Sequence, residues 1–150
     1  MTDPMIEARD VAKRFGKTQS LSGVTFHVDA GLGEIPADVA LCLYRVAQEA
    51  LRNMVRHARA GRAEVALTRR DDILELRIAD DGQGFDLAAA RWHGGLGLIS
   101  IDERVRLVQG GVQIVTEPRR GTELRVRIPL QACAGTPLEE ENAPRESAIG

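Results

Sequence analysis

An amphipathic pattern runs through LYRVAQEALRNMVRHA, residues 43–58, and decides how the rest of the chain can be arranged. Apolar residues recur there every three or four positions, which is the spacing of a helix face that packs on a core. The members of that row are Val39, Leu43, Val46, Ala50 and Met54. The pattern predicts a long helix that begins at Pro36, runs to about Arg59 and is closed by Gly61.

Beside the apolar row, the same helix carries a row of polar side chains. Glu49 and Asn53 are four residues apart, so they lie one turn apart on one face, and Arg56 and His57 follow. A carboxylate, an amide, a guanidinium and an imidazole in one row suit a magnesium-bound polyphosphate. The helix alone favours the simpler interpretation of a solvated face, so its function depends on what the other segments contribute.

Composition excludes several classes of protein. The 150 residues are enough for one ordinary domain, and 43% hydrophobic and 28% charged residues are typical of a soluble globular protein. A net charge of −2 gives no support for nucleic acid or an anionic membrane as a partner. Two cysteines and the absence of a long apolar run predict a cytoplasmic domain that makes no membrane contact, although a longer parent protein could be membrane-anchored.

The remaining periodicities predict an α+β protein. Alternating apolar and polar residues indicate strands at 24–28, 64–69, 73–79, 112–116 and 122–130, with a hairpin turn at 70–72. Helices grouped against a hairpin-connected sheet make a two-layer α/β sandwich with a mixed, mostly antiparallel sheet packed on helices.

The segments between the strands receive separate interpretations. Residues 4–15 are predicted to form a short amphipathic helix, and residues 87–93 a mixed loop. A glycine-rich segment, residues 94–97, opens a helix that reaches about Gln109. Beyond residue 131 the composition shifts to Gly, Pro, Glu, Asn and Ser, which predicts disorder.

Two glycine-containing segments are candidates for nucleotide chemistry. Asp80-Asp81-Gly82-Gln83-Gly84 follows a buried strand, so its first carboxylate can accept a hydrogen bond from an exocyclic amine such as N6 of adenine, while its glycines admit a flat ring. Gly94-Gly95-Leu96-Gly97 precedes a helix, whose free N–H groups suit phosphate, and the loop before it could act as a lid. Taken singly, the first is equally typical of a turn and the second of a connector. Neither a P-loop nor a G-x-G-x-x-G fingerprint is present.

Together, the helix and the two segments resemble the Bergerat-fold ATP-binding domain shared by histidine kinases, DNA gyrase, heat-shock chaperones and mismatch-repair ATPases. Glu49 to His57 looks like the N box of that family, residues 80–84 like its D-x-G-x-G box, and residues 95–98 like its G-L-G-L box. Gly121-Thr122, before a strand that ends at Leu130, is similar to its closing G-T motif. Order and spacing agree, and the resemblance covers about residues 6–131.

The wording of the boxes is typical of one branch of that family. LYRVAQEA at 43–50, RHA at 56–58 and DERV at 102–105 resemble bacterial two-component sensor histidine kinases that pair with LuxR/NarL-type response regulators. The resemblance implies that the chain binds Mg²⁺ and ATP. It also implies domain boundaries of a disordered start at 1–5, a catalytic domain at 6–131 and a disordered tail at 132–150.

The resemblance also implies a role for each matching residue of the helix. Asn53 would hold the Mg²⁺ that is bound to the triphosphate. Glu49 would orient or polarise the attacking group, which makes it the candidate catalytic residue. Arg56 and His57 take positions that contact the phosphates or the ribose.

Outside the helix, Asp80 would accept the hydrogen bond from adenine N6, with Thr122 nearby. Gly82 and Gly84 would line the base. Lid amides would reach the phosphates from the G-L-G-L box, whose members are Gly95, Leu96, Gly97 and Leu98.

The resemblance implies partners as well. A histidine kinase needs a phosphoacceptor histidine on a dimerising helical domain, and none of His27, His57 and His93 lies in an acceptor-like helix. We therefore expect a monomeric domain, cut from a larger kinase or acting in trans, that works with a separate dimerisation domain and a downstream response regulator.

Two alternatives share the fold. One is a serine kinase of the anti-sigma-factor type, against which the wording Arg56-His57-Ala58 speaks. The other is a degenerate nucleotide-binding module that only regulates a partner, against which the intact Glu49, Asn53 and Asp80 speak.

Overall fold

A computed structural model describes residues 4–8, 23–92 and 97–130 of the chain. The strands within these ranges form one sheet. Six strands within those ranges form it: β1 Pro4–Ala8, β2 Gly23–Asp29, β3 Arg62–Arg70, β4 Ile73–Asp80, β5 Gly111–Thr116 and β6 Thr122–Pro129. The helices are α1 Ala37–Asn53, α2 Leu87–Trp92 and α3 Leu98–Leu107, and α1 continues directly into a single π turn, Met54–Ala58.

The strand order is β1-β2-β3-β4-β6-β5. Among the six described strands, only β2 and β3 pair in parallel, since α1 connects them, and the other neighbouring pairs are antiparallel. The predicted mixed, mostly antiparallel sheet of an α+β sandwich is therefore confirmed. Pairing of β4 with β6 sets Asp80 opposite Thr122 at one end of the sheet.

The core lies between α1, α3 and one face of the sheet. All five residues of the predicted apolar row on the long helix are buried. They meet the inward side chains of the central strands, among them Leu76, Ile78 and Val126, and Ile101 and Val105 from α3. Burying a Val, Leu or Met side chain contributes roughly 1.5–3 kcal/mol, so the larger members of the amphipathic row account for why α1 packs on the sheet.

The opposite face of the sheet is polar, and ion pairs connect neighbouring strands there. Arg77 on β4 reaches Glu64 at 2.9 Å and Glu123 at 2.8 Å. Burial opposes the charge on Glu123, but hydrogen bonds from Arg77 and Arg125 outweigh it and lower the pKa of that carboxyl. Strand pairing on this face is thus supported by charge, and the apolar layer is confined to the helical side.

Two predicted elements are wrong. Residues 4–8 form β1, not the start of a helix over 4–15, because antiparallel pairing with β2 satisfies their backbone groups; residues 9–15 lie outside the described part. The strand also begins inside the predicted disordered start. Residues 87–92 form α2, where a mixed loop was predicted, because Asp86 caps the alanine-rich segment and accepts a hydrogen bond from the N–H of Ala89 at 3.1 Å.

The ends of the long helix also differ in detail. Pro36 is the N-cap residue, and the first helical residue is Ala37. The π turn ends at Ala58, and Arg59 turns the chain through a left-handed conformation with φ 49°. Arg59, and not the predicted Gly61, therefore closes the helix.

Candidate functional site

A cavity of about 160 Å³ opens between the C-terminal half of the long helix, α3 and the inward face of the sheet. Its floor is apolar and is contributed by all three of these elements. The floor residues are Met54, Ile78, Ile101, Ile114 and Leu124. Its polar rim consists of Asn53, His57, Asp80, Gln83 and Thr122. An apolar cavity with polar groups around its rim suits an aromatic base that carries an amine.

The Asp80 carboxylate lies at the end of β4, at the edge of this cavity. The N–H of Gly82 donates to its Oδ1 at 2.8 Å, and the N–H of Thr122 also donates to the carboxylate. Burial is the largest influence on the pKa of Asp80 and raises it, with help from the charge of Asp81, although the two backbone donors act in the other direction. The result is a half-buried hydrogen-bond acceptor that faces the cavity.

Close backbone packing holds the D-x-G-x-G loop against the turn between β5 and β6. Gly84 has φ +59°, and a Cβ there would lie 2.0 Å from the carbonyl oxygen of Glu117. Gly121 has φ +76°, and a Cβ there would lie 2.2 Å from the carbonyl oxygen of Asp80. Both positions therefore require glycine, and the loop, the turn and the carboxylate form one packed unit.

The π turn separates the polar row of the long helix into two groups. Asn53 and His57 line the cavity, whereas Arg56 is exposed and does not. Glu49, one turn before Asn53, forms an ion pair with Arg52 at 3.4 Å. π turns are rare and frequently occur at functional sites, because the extra residue per turn changes which side chains face inward.

Of the predicted residues of the G-L-G-L box, some line the cavity and others do not. Leu98 lines the cavity at the start of α3. Gly97 lies next to Glu49: a Cβ on Gly97, whose φ is +61°, would come within 2.5 Å of Glu49 Oε1. Gly95 and Leu96 lie outside the described residues.

The structure therefore brings together six of the predicted residues around one cavity: Asn53, His57, Asp80, Gly84, Leu98 and Thr122. Glu49, Gly82 and Gly97 lie in contact with the segments that build it, and Arg56 lies outside. Sequence reasoning missed the apolar floor, because Ile78 or Leu124 cannot be told from an ordinary core residue by its spacing. It also missed Gln83, which the motif pattern leaves unspecified.

Comparison with known protein families shows which family has this arrangement of residues. Residues 38–132, more than half of the chain, match the family model of the histidine kinase-, DNA gyrase B- and HSP90-like ATPases. The chain belongs to this family of ATP-binding domains. The matched segment contains every residue of the cavity.

Individual relatives fall within one class of that family. The chain is 40% identical over 95 residues to an uncharacterized sensor-like histidine kinase of Chloroflexus aurantiacus, covering 60% of this chain and 16% of that protein. It is 30% identical over 122 residues to the oxygen sensor histidine kinase NreB of Staphylococcus carnosus, covering 81% of this chain and 35% of that one. The chain thus spans about a third or less of the length of these relatives.

A solved structure has the same fold. The histidine kinase domain of the blue-light activated histidine kinase EL346 of Erythrobacter litoralis superposes with a TM-score of 0.60 at 22% identity, covering 72% of this chain and 52% of that one.

Among the helices within the described ranges, none is both long and apolar enough to cross a bilayer.

Proposed function

We propose that the chain is the ATP-binding catalytic domain of a sensor histidine kinase and passes the γ-phosphoryl group of ATP to a histidine on a separate dimerisation domain. One observation carries this proposal: Asp80 at the end of β4 and Asn53 at the end of α1 line the same apolar cavity. Such a cavity would accommodate an adenine at the sheet end and a triphosphate along the helix. The similarity to named sensor histidine kinases supports histidine, not serine, as the acceptor.

The base would lie over the apolar floor with its N6 amine donating to Asp80. Thr122 lies opposite Asp80 across the β4–β6 pair, and its hydroxyl shares a hydrogen bond of 3.0 Å with the hydroxyl of Thr116. Gly82 and Gly84 let the loop pack closely on Ala58 and Glu117, and in this position its backbone would lie against the base. A carboxylate acceptor at this point favours adenine over guanine, which presents an oxygen there.

The phosphates would extend towards His57 and the start of α3, where Gly95, Leu96, Gly97 and Leu98 would close over them. Glu49 would orient or polarise the attacking imidazole from the face of α1. Arg56, which is exposed at the π turn, would contact phosphate from outside the cavity. Phosphoryl transfer depends mainly on positioning and charge neutralisation, and these side chains supply both.

Magnesium fits the donor set of this site. Among the described residues, no group of three or more His, Cys, Asp or Glu side chains could hold a metal ion by itself. Mg²⁺ does not need such a cage, since it is usually held by one or two protein oxygens, substrate phosphates and water. Asn53 would supply the protein oxygen, and the ion would neutralise phosphate charge.

The partners follow from the same proposal. The acceptor histidine would belong to the dimerisation domain of the parent kinase, and a response regulator, predicted to be of the LuxR/NarL type, would take the phosphoryl group next. The catalytic domain would comprise residues 6–131, act as a monomer and work in the cytoplasm, where ATP is available.

A phosphotransfer assay tests the proposal. The chain is mixed with the separately produced dimerisation domain of its parent kinase and Mg²⁺-ATP labelled at the γ-phosphate. We expect acid-labile, base-stable label on the added domain and none on the chain alone. Acid-stable label would indicate a hydroxyl acceptor, and ATP binding without any label would indicate a regulatory module.

A further inference from the structure

The end of the long helix leaves carbonyl groups without partners in the helix. The last carbonyls of any helix have no N–H group of their own helix to bind. Here the π turn ends at Ala58 and the chain turns away at Arg59. The carbonyl oxygens of His57 and Ala58 therefore need donors from another part of the chain.

Gln83 supplies both donors. Its side-chain Nε2 donates to the carbonyl oxygen of His57 at 2.6 Å, and its backbone N–H donates to the carbonyl oxygen of Ala58 at 2.7 Å. The loop lies close to the helix end, since a Cβ on Gly82 would come within 2.4 Å of the oxygen of Ala58. Gln83 acts as a C-cap that comes from a distant part of the sequence.

The same residue also binds the other side of the cavity. Its carbonyl oxygen accepts a hydrogen bond from the N–H of Arg119, in the turn between β5 and β6, at 2.5 Å. Gln83 thus connects the helix end that carries His57 with the sheet end that carries Asp80 and Thr122. All four of these residues border the cavity.

We propose that Gln83 is a positioning residue for the nucleoside triphosphate: it fixes His57 relative to Asp80, so that the phosphate end and the base end of the ligand are held at the right separation. This role rests on the proposed ATP site. It assigns Gln83 to the geometry of the protein, not to a direct contact with the ligand. Its side-chain amide is the part that carries the role, because the backbone bonds persist with any other residue.

The solvent exposure of Gln83 determines how much the loss of its amide would change folding stability and ATP affinity. Gln83 is exposed, so water replaces its side chain as donor to the carbonyl of His57, and the folded state loses little. The backbone bond from Gln83 to the carbonyl of Ala58 would persist, but the carbonyl of His57 would no longer be tied to the loop. We expect ATP affinity to fall about three- to tenfold, the equivalent of one ordinary hydrogen bond, while thermal stability changes little.

A double-mutant cycle tests the proposal. Calorimetry measures ATP affinity, with Mg²⁺, for the unsubstituted chain, Gln83→Met, His57→Ala and the double variant. Met keeps the length of the side chain and removes only its amide. Gln113→Met, at an exposed position on β5, is the matched control and should leave affinity unchanged. If Gln83 acts through His57, Gln83→Met should cost less than about twofold in the His57→Ala background.

The other outcomes each contradict a specific claim. If Gln83→Met lowers ATP affinity by the same factor with and without His57→Ala, Gln83 contacts the nucleotide independently of His57. If Gln83→Met binds ATP as tightly as the unsubstituted chain, Gln83 has no positioning role. A melting temperature far below that of Gln113→Met would show a structural residue instead. Failure of the unsubstituted chain to bind ATP would overturn the proposed site itself, and with it this role.

Discussion

At the residue scale, Asp80 serves two opposed requirements. Burial raises the pKa of its carboxyl, so the ionised form destabilises the folded state, yet the ionised form is the one that accepts a hydrogen bond from adenine. Below the ordinary aspartate pKa of about 3.9 the group is protonated in both states and this cost is absent. As the pH rises through the raised value, the cost becomes complete.

Asp80→Asn isolates this effect. We expect the unsubstituted chain to lose stability relative to Asp80→Asn as the pH rises from below the ordinary aspartate pKa of about 3.9 through the raised pKa of Asp80, whatever constant offset the amide introduces. Chemical denaturation of both proteins across that range measures the difference. A difference that is constant with pH, or that moves in favour of the unsubstituted chain, would contradict the assignment of burial as the main cause.

Asn53 is the residue to which the magnesium role is assigned. Asn53→Ala should fold normally, because α1 is held by its apolar row, and should lose the dependence of ATP affinity on Mg²⁺. Calorimetric titrations with Mg²⁺ and with EDTA compare the two proteins. The same response to magnesium in both would remove Asn53 from the metal site.

Single residues with distinctive chemistry could be predicted from the sequence. Asp80 and Asn53 have functional groups that a nucleotide site needs, and both line the cavity. Gln83 could not be found in this way, because its partners are carbonyl groups that become exposed only where the π turn ends. The π turn itself leaves no local pattern in the sequence.

At the element scale, the start of α3 is fitted to α1 through one glycine. Gly97 has a left-handed conformation, and a side chain there would collide with Glu49. Gly97→Ala should therefore displace Glu49, lower the free energy of unfolding by about 1–2 kcal/mol and reduce phosphotransfer more than ATP affinity.

The chain offers a matched control for this substitution. Gly111, at the start of β5, lies outside the left-handed region, and a Cβ added there would have no neighbouring atom within 4 Å, so Gly111→Ala should be close to neutral. Denaturation and phosphotransfer assays on both variants make the comparison. Equal behaviour of the two alanine variants would contradict the proposed fit between Gly97 and Glu49.

The elements that could be predicted are those with strong local patterns. The long helix and the hairpin of β3 and β4 have uninterrupted periodicity, and both are confirmed. β1 was missed because its sequence, PMIEA, does not alternate apolar and polar residues, and its pairing with β2 cannot be seen from the segment alone. α2 was missed because a six-residue helix depends on its cap, Asp86, more than on an apolar face.

At the scale of the whole molecule, the cavity is a gap between two layers that otherwise pack closely. Its floor is built from Met54, Ile101 and inward residues of the sheet, which belong to the core by every local criterion. Sequence motifs predict the polar rim of such a cavity but not its floor, because the floor depends on where the layers separate. The resemblance to the ATP-binding family predicts that the separate motifs lie around one cavity.

The most direct measurement is a calorimetric titration of ATP and of GTP into the chain, Asp80→Asn and the control Asp86→Asn, in which Asn retains the ability to cap α2. We predict that the chain binds ATP at least about tenfold more tightly than GTP, and that Asp80→Asn alone costs about 1.5–3 kcal/mol of ATP binding. Equal binding of ATP and GTP, or unchanged ATP affinity in Asp80→Asn, would contradict the claim that this cavity holds adenine against Asp80.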